Sequence, residues 1–219
     1  MREVAYPALE RMKRKCVEER ILQPAVSYGF FRCASDGNDL VVLTDDDMAE
    51  RVRFKFPRQP DAEHLCLSDY LRPLGQEDYV GFFVVTMGRE ASRRAQELFA
   101  QNNYVDYLYL HGLSVEATEA LAELWHQRMR QEWGIATDDS ADVRKLFKLH
   151  YRGCRYSFGY PACPNLEDQA RLFELLQPEE IGVVLSENFQ LEPEQSTSAL
   201  VVHHPSAKYF NVHQPEFAG

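Results

Sequence analysis

The fold depends most on the stretch Tyr79-Val80-Gly81-Phe82-Phe83-Val84-Val85-Thr86, a continuous apolar run of strand length. Such a run is typical of a strand that is buried on both faces. Apolar and basic residues alternate over 51–56, which predicts a strand with one basic face. The segments 25–33 and 40–43 flank a turn signal at 35–39 and predict a β-hairpin.

Helical patterns surround these strands. One covers 7–22, with Pro7 in its first turn, and another covers 89–133, with breaks predicted near Asn102-Asn103 and His111-Gly112 and with Ser114 as an N-cap. Further helices are predicted over 140–149 and from Asn165 onward, and late strands over 183–185 and 199–203.

Together these elements predict an α+β fold: a single domain with a mixed, largely antiparallel twisted sheet packed with helices. We expect this domain to span 1–212, with 1–22 as its N-terminal helix. Residues 213–219 are expected to form a loose tail.

Composition narrows the class of protein. The 219 residues carry a net charge of −10, which argues against nucleic acid as a partner. No apolar run approaches 18 residues, so we predict no membrane span, and residues 1–7 lack the apolar segment of a signal peptide. Five cysteines at irregular spacing fit neither a disulfide framework nor a zinc site. We therefore expect free thiols and a cytoplasmic location.

Between two predicted helices lies a loop of unusual composition, Arg155-Tyr156-Ser157-Phe158-Gly159-Tyr160-Pro161-Ala162-Cys163-Pro164. Its prolines remove two backbone donors and stiffen it, while Gly159 permits a positive φ. Arg155 carries a planar fork of donors suited to a carboxylate or a phosphate. The loop fits a site for a small charged ligand. The alternatives are a turn whose aromatic rings fill the core, and an Arg155 that pairs with a helix carboxylate.

A row of charged side chains follows one face of the helix after Ser114. Glu119, Glu123, His126 and Arg130 are spaced by four, three and four residues, which places them on the same face. Such a row is usually a solvated helix face. Its acidic end also has the right sign for a cationic ligand.

Other reactive residue types lack the neighbours that their chemistry needs. His203 and His204 have no Cys or Asp at ligand spacing, so we predict no zinc site. Cys163 has no motif histidine nearby and is predicted to be a packed thiol. The common glycine-rich, hydrolase and zinc-protease motifs do not occur in the sequence.

Six ordered motifs give the chain a resemblance to a known family. They are the pattern R-x-x-x-G-Y-P-A-C-P at 155–164 and the stretches RFKFPRQ at 53–59, HLCLSD at 64–69, HGLSVE at 111–116, EQSTS at 194–198 and HPSAKY at 204–209. They resemble the activation domain of cobalamin-dependent methionine synthase, the module that binds S-adenosylmethionine. Six motifs in the family's order are far more specific than one short pattern.

The resemblance implies polar contacts to that ligand. Arg155 would bind the carboxylate of its methionine part, and Glu119 would attract its ammonium or sulfonium. Ser157 would offer backbone groups, with simple turn packing as the alternative. The family often has Ala in its place, so no role is expected for the Ser157 hydroxyl.

The resemblance also implies three aromatic contacts. Tyr160 would line the adenosine pocket. Tyr209 and Phe210 would form a pair against the ligand, where a ring near the sulfonium gains cation–π attraction on the order of 1 kcal/mol. The alternative for this pair is a buried strand end with two core aromatics, which leaves its backbone groups able to bind.

One family feature has no counterpart in this sequence. Family members carry, upstream of the first hairpin, a segment with Asp before Trp, and that Asp contacts the ligand. The tryptophans here are Trp125 and Trp133, so we expect the sequence to begin after that segment and to lack its contact.

The function implied by the resemblance is the reactivation of methionine synthase. The chain would bind S-adenosylmethionine and present it to an oxidised cobalamin on a neighbouring module, with flavodoxin or a similar protein as electron donor. The alternative is an interaction domain that caps the cobalamin module with little nucleotide binding; a free-standing methyltransferase fits less well, because no glycine-rich loop follows a predicted strand. An acidic flavodoxin would need a basic face, for which Arg51, Arg53, Lys55 and Arg58 are candidates, although a plain solvated strand face is an equal alternative.

Overall fold

A computed structural model of the chain describes residues 2–60, 63–146 and 149–212. These residues group into two compact units. The first unit comprises residues 1–27, 84–124 and 177–197, and the second unit comprises residues 28–83, 125–176 and 198–219, each as far as it is described. The domain limits 1–212 stay a prediction, and the predicted tail at 213–219 lies outside the described residues.

Runs of strands and runs of helices follow one another along the described chain. In order they are α1 (Arg2–Glu18), β1 (Ala25–Asp36), β2 (Asp39–Leu43), β3 (Glu50–Lys55), β4 (Asp78–Thr86), α2 (Arg89–Ala100), α3 (Tyr104–Glu132), α4 (Val143–Leu146), β5 (Cys154–Ser157), α5 (Asp168–Leu176), β6 (Val184–Leu185), β7 (Leu191–Glu192) and β8 (Ser196–Val202). None of the described helices is long and apolar enough to cross a membrane.

Six strands form one sheet in the order β3-β2-β1-β4-β8-β5, and most of it lies in the second unit. The predicted hairpin is confirmed, because β1 and β2 pair antiparallel with Cys33 opposite Val42 and Asp36 opposite Asp39. The pairs β2–β3 and β5–β8 are also antiparallel. The predicted α+β class with a largely antiparallel sheet is therefore confirmed.

Strand β4 is buried, as its apolar run predicts; every residue from 80 to 86 is buried. In the second unit the last turns of α3 cover it. Gly81 allows this approach, since a Cβ there would lie 2.6 Å from Met129 Cε. The rings of Phe30 and Trp133 lie 4.7 Å apart in the same contact.

The first unit has its own apolar core. It consists of small and aliphatic side chains from α1, the segment after it, α2 and the first turns of α3: Met12, Cys16, Ile21, Ala91, Ala95 and Leu110. Burial of these side chains against one another holds the three helices together. The five cysteines of the whole chain are buried free thiols.

The structure corrects the predicted limits of the N-terminal helix. Helix α1 begins at Arg2, so Pro7 lies inside it rather than in its first turn. It ends at Glu18 rather than at residue 22. Arg20 takes a φ of 52°, the Arg20 N–H donates to the Val17 carbonyl and the Ile21 N–H donates to the Cys16 carbonyl. This pair of bonds is a Schellman motif, which ends a helix at a residue in the left-handed conformation. Glycine usually occupies that position, so Arg20 adopts this conformation with some backbone strain.

Two further helix predictions are wrong in detail. Helix α3 runs unbroken through His111-Gly112, and the Ser114 hydroxyl donates to the Leu110 carbonyl at 2.6 Å instead of capping a helix start. Helix α5 begins at Asp168, because Asn165 forms a turn in which its Oδ1 accepts the Glu167 N–H at 3.2 Å. Of the helix predicted over 140–149, only 143–146 are helical among the described residues and form α4, so the prediction is wrong for 140–142 and 149; Phe147 and Lys148 lie outside the described residues.

Candidate functional site

Arg155 lies on β5, which forms one edge of the six-stranded sheet beside β8. Arg155 and Ser157 are half-buried on one face of this strand, while Cys154 and Tyr156 are buried on the other. Gly153 leads into the strand with a φ of +85°, and a Cβ there would lie 2.4 Å from the Val202 carbonyl oxygen. Only glycine therefore allows β5 to pair with β8 from its first residue, which fixes the position of Arg155.

The turn after β5 is closed by its own hydrogen bonds. The Gly159 N–H donates to the Cys163 carbonyl, and the Cys163 N–H donates to the Tyr160 carbonyl, each at 2.9 Å. Gly159 has a φ of +84°, and a Cβ there would lie 2.7 Å from Leu166 Cδ2. The turn is thus tightly constrained, as its composition predicts, and it presents the Tyr160 ring with 56% of its surface exposed.

Cys163 serves the packing of this turn. Its thiol is 1% exposed and donates to the Ser157 carbonyl at 3.0 Å. Burial first, and then the nearby charge of Asp168, raise the pKa of Cys163 to about 12. A thiol held in its protonated form is a poor nucleophile, which agrees with the predicted packing role.

The segment after β8 brings Tyr209 to the turn. The Tyr156 hydroxyl donates to the Lys208 carbonyl at 2.8 Å, and the Tyr156 and Tyr209 rings stack with centroids 6.5 Å apart. Tyr209 is 48% exposed. The pKa of Tyr209 is raised first by burial and then by Cys163 and Tyr160 of the turn.

Phe210 points the other way. Its side chain is 6% exposed and packs 6.0 Å from the Tyr156 ring and 6.3 Å from the Tyr70 ring. Of the predicted aromatic pair, only Tyr209 therefore offers a ring at the surface. A contact from Phe210 to a ligand would have to come from its backbone.

The charged row on α3 is only partly a solvated face. Glu119, in the first unit, is exposed, but His126 and Arg130, in the second unit, are 0% and 2% exposed. The prediction of a solvated face is therefore wrong for the C-terminal half of the row. The helical spacing of these residues is correct, but spacing does not reveal which part of a helix other elements cover.

Arg130 is buried because two partners hold its guanidinium. Its Nε and Nη2 donate to the two carboxylate oxygens of Asp139 at 2.9 and 2.8 Å. The guanidinium carbon also lies 4.0 Å from the centre of the Tyr151 ring. This pairing offsets the cost of burying a charge.

His126 lies between two positive side chains and is neutral. Burial first, and then the charges of Arg130 and Arg155, hold the pKa of His126 well below its usual range. Both of its ring nitrogens and Nη1 of Arg130 are buried without a hydrogen-bond partner among the described residues. Polar atoms that are buried without a partner are uncommon, and they mark a place where a bound group or water can be held.

Sequence reasoning missed this layer behind Arg155. Neither Asp139 nor Tyr151 was a candidate. The signals available in the sequence were an arginine and an aspartate nine residues apart and an aromatic residue before β5. Neither signal predicts contact without the path of the chain.

The predicted basic face is largely neutralised. The guanidinium of Arg53 bonds to Glu50, Asp36 and Asp39, and these contacts raise its pKa. Arg58 makes a bidentate pair with Asp69 at 2.8 and 2.7 Å. Arg51 donates to the Glu174 carbonyl and lies over the Phe31 ring. These contacts favour a structural role for the face over the docking of an acidic electron donor.

The adjacent histidines take part in other contacts. His203 Nε2 lies 2.7 Å from Asp78 Oδ1, and His204 Nδ1 accepts the Ser206 N–H at 3.2 Å. No group of three metal-ligating side chains occurs within the described residues.

The sequence of this chain matches one protein family and is similar to known methionine synthases. The family model described as vitamin B12 dependent methionine synthase, activation domain, matches residues 3–216. The methionine synthases of Mycobacterium tuberculosis and Mycobacterium leprae are 51% and 49% identical over 202 residues, which cover 86% of this chain and 17% of each relative. The chain thus spans about one sixth of the length of these relatives.

A solved structure has the same fold. The crystal structure of the MetH reactivation domain bound to AdoHcy superposes with a TM-score of 0.90 at 30% sequence identity. The match covers 95% of this chain and 67% of that one. The neighbour was crystallised with S-adenosylhomocysteine, the product that S-adenosylmethionine becomes when it gives up its methyl group.

Proposed function

Because this chain belongs to the activation-domain family of vitamin B12-dependent methionine synthases, we propose that it binds S-adenosylmethionine beside Arg155 and presents the methyl group to a cobalamin on another module. In the proposed reaction a donor such as flavodoxin would first supply one electron to the oxidised cobalamin. The ligand would then give its methyl group to the reduced cobalt and leave as S-adenosylhomocysteine. The role of this chain is to bind and orient the ligand.

The observation that carries the proposal is the setting of Arg155. The side chain stands half-buried on a strand whose position Gly153 fixes. Its charge acts on the neutral ring of His126, whose nitrogens have no hydrogen-bond partner among the described residues. A guanidinium in partly dry surroundings binds a carboxylate more strongly than one in water. The carboxylate of the methionine part of the ligand is the group that this fork fits.

Exposed aromatic rings suit the rest of the ligand. Tyr160 at the turn and Tyr209 beside it have about half of their surfaces free, and an adenine ring or a sulfonium is attracted to such faces. Backbone groups of Ser157 and Phe210 would complete the binding residues. Glu119, exposed on α3, has the charge that attracts an ammonium or a sulfonium.

Calorimetric titration with S-adenosylmethionine tests this function. We expect one binding site in the native chain and, in Arg155→Ala, a loss of roughly 2–4 kcal/mol, the range for truncating one partner of a buried charge pair. Arg155→Lys should not restore the affinity, because the planar fork is lost. Arg14→Ala removes a charge from an exposed position of α1 and is the matched control, with no change expected.

Two outcomes would contradict the proposal. A folded Arg155→Ala chain with native affinity would remove Arg155 from the ligand site. A native chain that binds no S-adenosylmethionine, alone or with the cobalamin module, would favour a capping domain without nucleotide binding.

A further inference from the structure

A cavity of about 410 Å³ in the second unit has no role in the proposed function. Its lining includes four side chains that can donate hydrogen bonds to an anion: Arg72, Arg152, His203 and His204. We propose that this cavity binds an oxyanion, the phosphate or carboxylate group of a small ligand.

The two carboxylates that also line the cavity are already satisfied. Asp78 is 7% exposed. Its carboxylate accepts hydrogen bonds from the backbone N–H groups of Arg72 and Tyr79 at 2.8 and 2.9 Å, in addition to its contact with His203. Burial alone would raise the pKa of Asp78, but these bonds lower it overall. Asp69 forms a bidentate ion pair with Arg58. Asp78 keeps its negative charge at the cavity wall, but among the described residues neither carboxylate forms an ion pair with Arg72 or Arg152.

Arg152 is held in place with its terminal donors unused. It directly precedes Gly153, whose close approach to β8 fixes the backbone here. Its Nε donates to the His203 carbonyl at 3.0 Å. Among the described residues no carboxylate pairs with this guanidinium, so its two Nη groups are available for a bidentate contact with an oxyanion.

Arg72 and His204 supply donors from other parts of the lining. The Arg72 guanidinium makes one long contact, 3.4 Å from Nη1 to the Glu77 carbonyl, and no ion pair within the described residues. In neutral His204 the proton lies on Nε2, because Nδ1 accepts the Ser206 N–H. Two unpaired guanidinium groups and an imidazole N–H around one cavity favour an anion with two or more oxygens.

The test is a titration of the full chain with sodium phosphate and, separately, with sodium acetate at constant ionic strength. The guanidinium Nε–H signals of Arg72 and Arg152 are followed by nuclear magnetic resonance in native chain labelled with nitrogen-15. We expect a saturable shift of the Arg152 signal with at least one anion. Tighter binding of phosphate would identify a phosphate ester as the ligand group, and tighter binding of acetate would identify a carboxylate; both support an oxyanion site.

Variants distinguish a built site from general attraction to a positive surface. Arg72→Gln and Arg152→Gln should each weaken the better anion about tenfold or more, the loss expected for a hydrogen bond to a charged group. Arg14→Gln removes the same charge from α1 and should leave the affinity unchanged. If an Arg152→Gln chain does not fold, Arg152→Lys serves instead and should also bind more weakly, because it keeps the charge without the fork. The proposal is overturned if neither anion gives a saturable shift, or if the cavity variants bind like Arg14→Gln.

Discussion

The buried pair of Arg130 and Asp139 should be a main source of stability behind the candidate site. Their side chains are 2% and 9% exposed and share two bonds of 2.9 and 2.8 Å. Asp139→Asn keeps the shape but leaves the guanidinium without a counter-charge, and removing one partner of a buried pair costs roughly 3–5 kcal/mol. The Tyr151 ring still faces the cation, so we expect the lower end, about 3 kcal/mol.

Urea unfolding followed by tryptophan fluorescence measures this cost. Trp125 and Trp133 both belong to the second unit, so the signal reports the unit that contains the pair. With a slope of about 2–3 kcal/mol per molar urea, the midpoint should fall by about 1–1.5 M. Equal slopes in native chain and variant are required, because a changed slope would show that the transition is no longer comparable.

A double variant and a surface control complete this experiment. Arg130→Met combined with Asp139→Leu replaces the pair by apolar side chains and should recover much of the loss. Lys13→Gln breaks the exposed pair between Lys13 and Glu10 and should change stability little. A loss below about 1 kcal/mol in Asp139→Asn, the range of surface pairs, would refute the reasoning that burial gives this pair its weight.

Three further predictions concern single side chains. His126→Phe should remove a pH dependence of stability. The pKa of His126 is lowered by burial, Arg130 and Arg155, so below about pH 6.5 the unfolded chain binds more protons and native stability falls by up to about 1.4 kcal/mol per pH unit. If urea unfolding shows that the stability of both chains falls equally with pH, this prediction is contradicted. Asp168→Asn should remove a pH dependence of opposite sign, because burial raises the pKa of Asp168 to about 6 and the carboxylate costs stability at about pH 7 that is regained on acidification to about pH 4; a variant less stable than the native chain at neutral pH would show that the bond to Arg171 outweighs this cost. Glu119→Gln should weaken S-adenosylmethionine more than S-adenosylhomocysteine in calorimetry, because only the former has a positive sulfur; equal losses would show that Glu119 does not sense the sulfonium.

Local periodicity was sufficient to predict the central strand and the hairpin of the sheet, but not β5, which was predicted as a loop. The apolar run at 79–86 and the turn signal at 35–39 each have one physical interpretation, a buried strand and a hairpin, and both are confirmed. Other local signals have two interpretations. Gly112 and Ser114 look like a helix break, yet the Ser114 hydroxyl bonds to the Leu110 carbonyl within the helix and α3 continues.

Part of the candidate site was also predictable from local sequence, and part of it depends on the fold. The turn after β5 was identifiable from its prolines and its glycine, but the prediction that 155–157 belong to the same loop is wrong, because these residues lie on strand β5 and pair with β8. The burial of His126 and Arg130 was not, because it depends on Asp139 and Tyr151, which reach α3 only through the path of the chain. For the same reason the sequence suggested Phe210 as a ligand-facing ring, whereas its packing against Tyr70 and Tyr156 is a property of the fold.

A crystal structure of this chain grown with S-adenosylmethionine tests the central claim most directly. We expect the carboxylate of the methionine part within about 2.7–2.9 Å of the Arg155 guanidinium, the length of a charge-assisted hydrogen bond, with Tyr160 and Tyr209 against the ligand. Ligand density elsewhere on the chain, with Arg155 making no contact to it, would contradict a ligand site at Arg155.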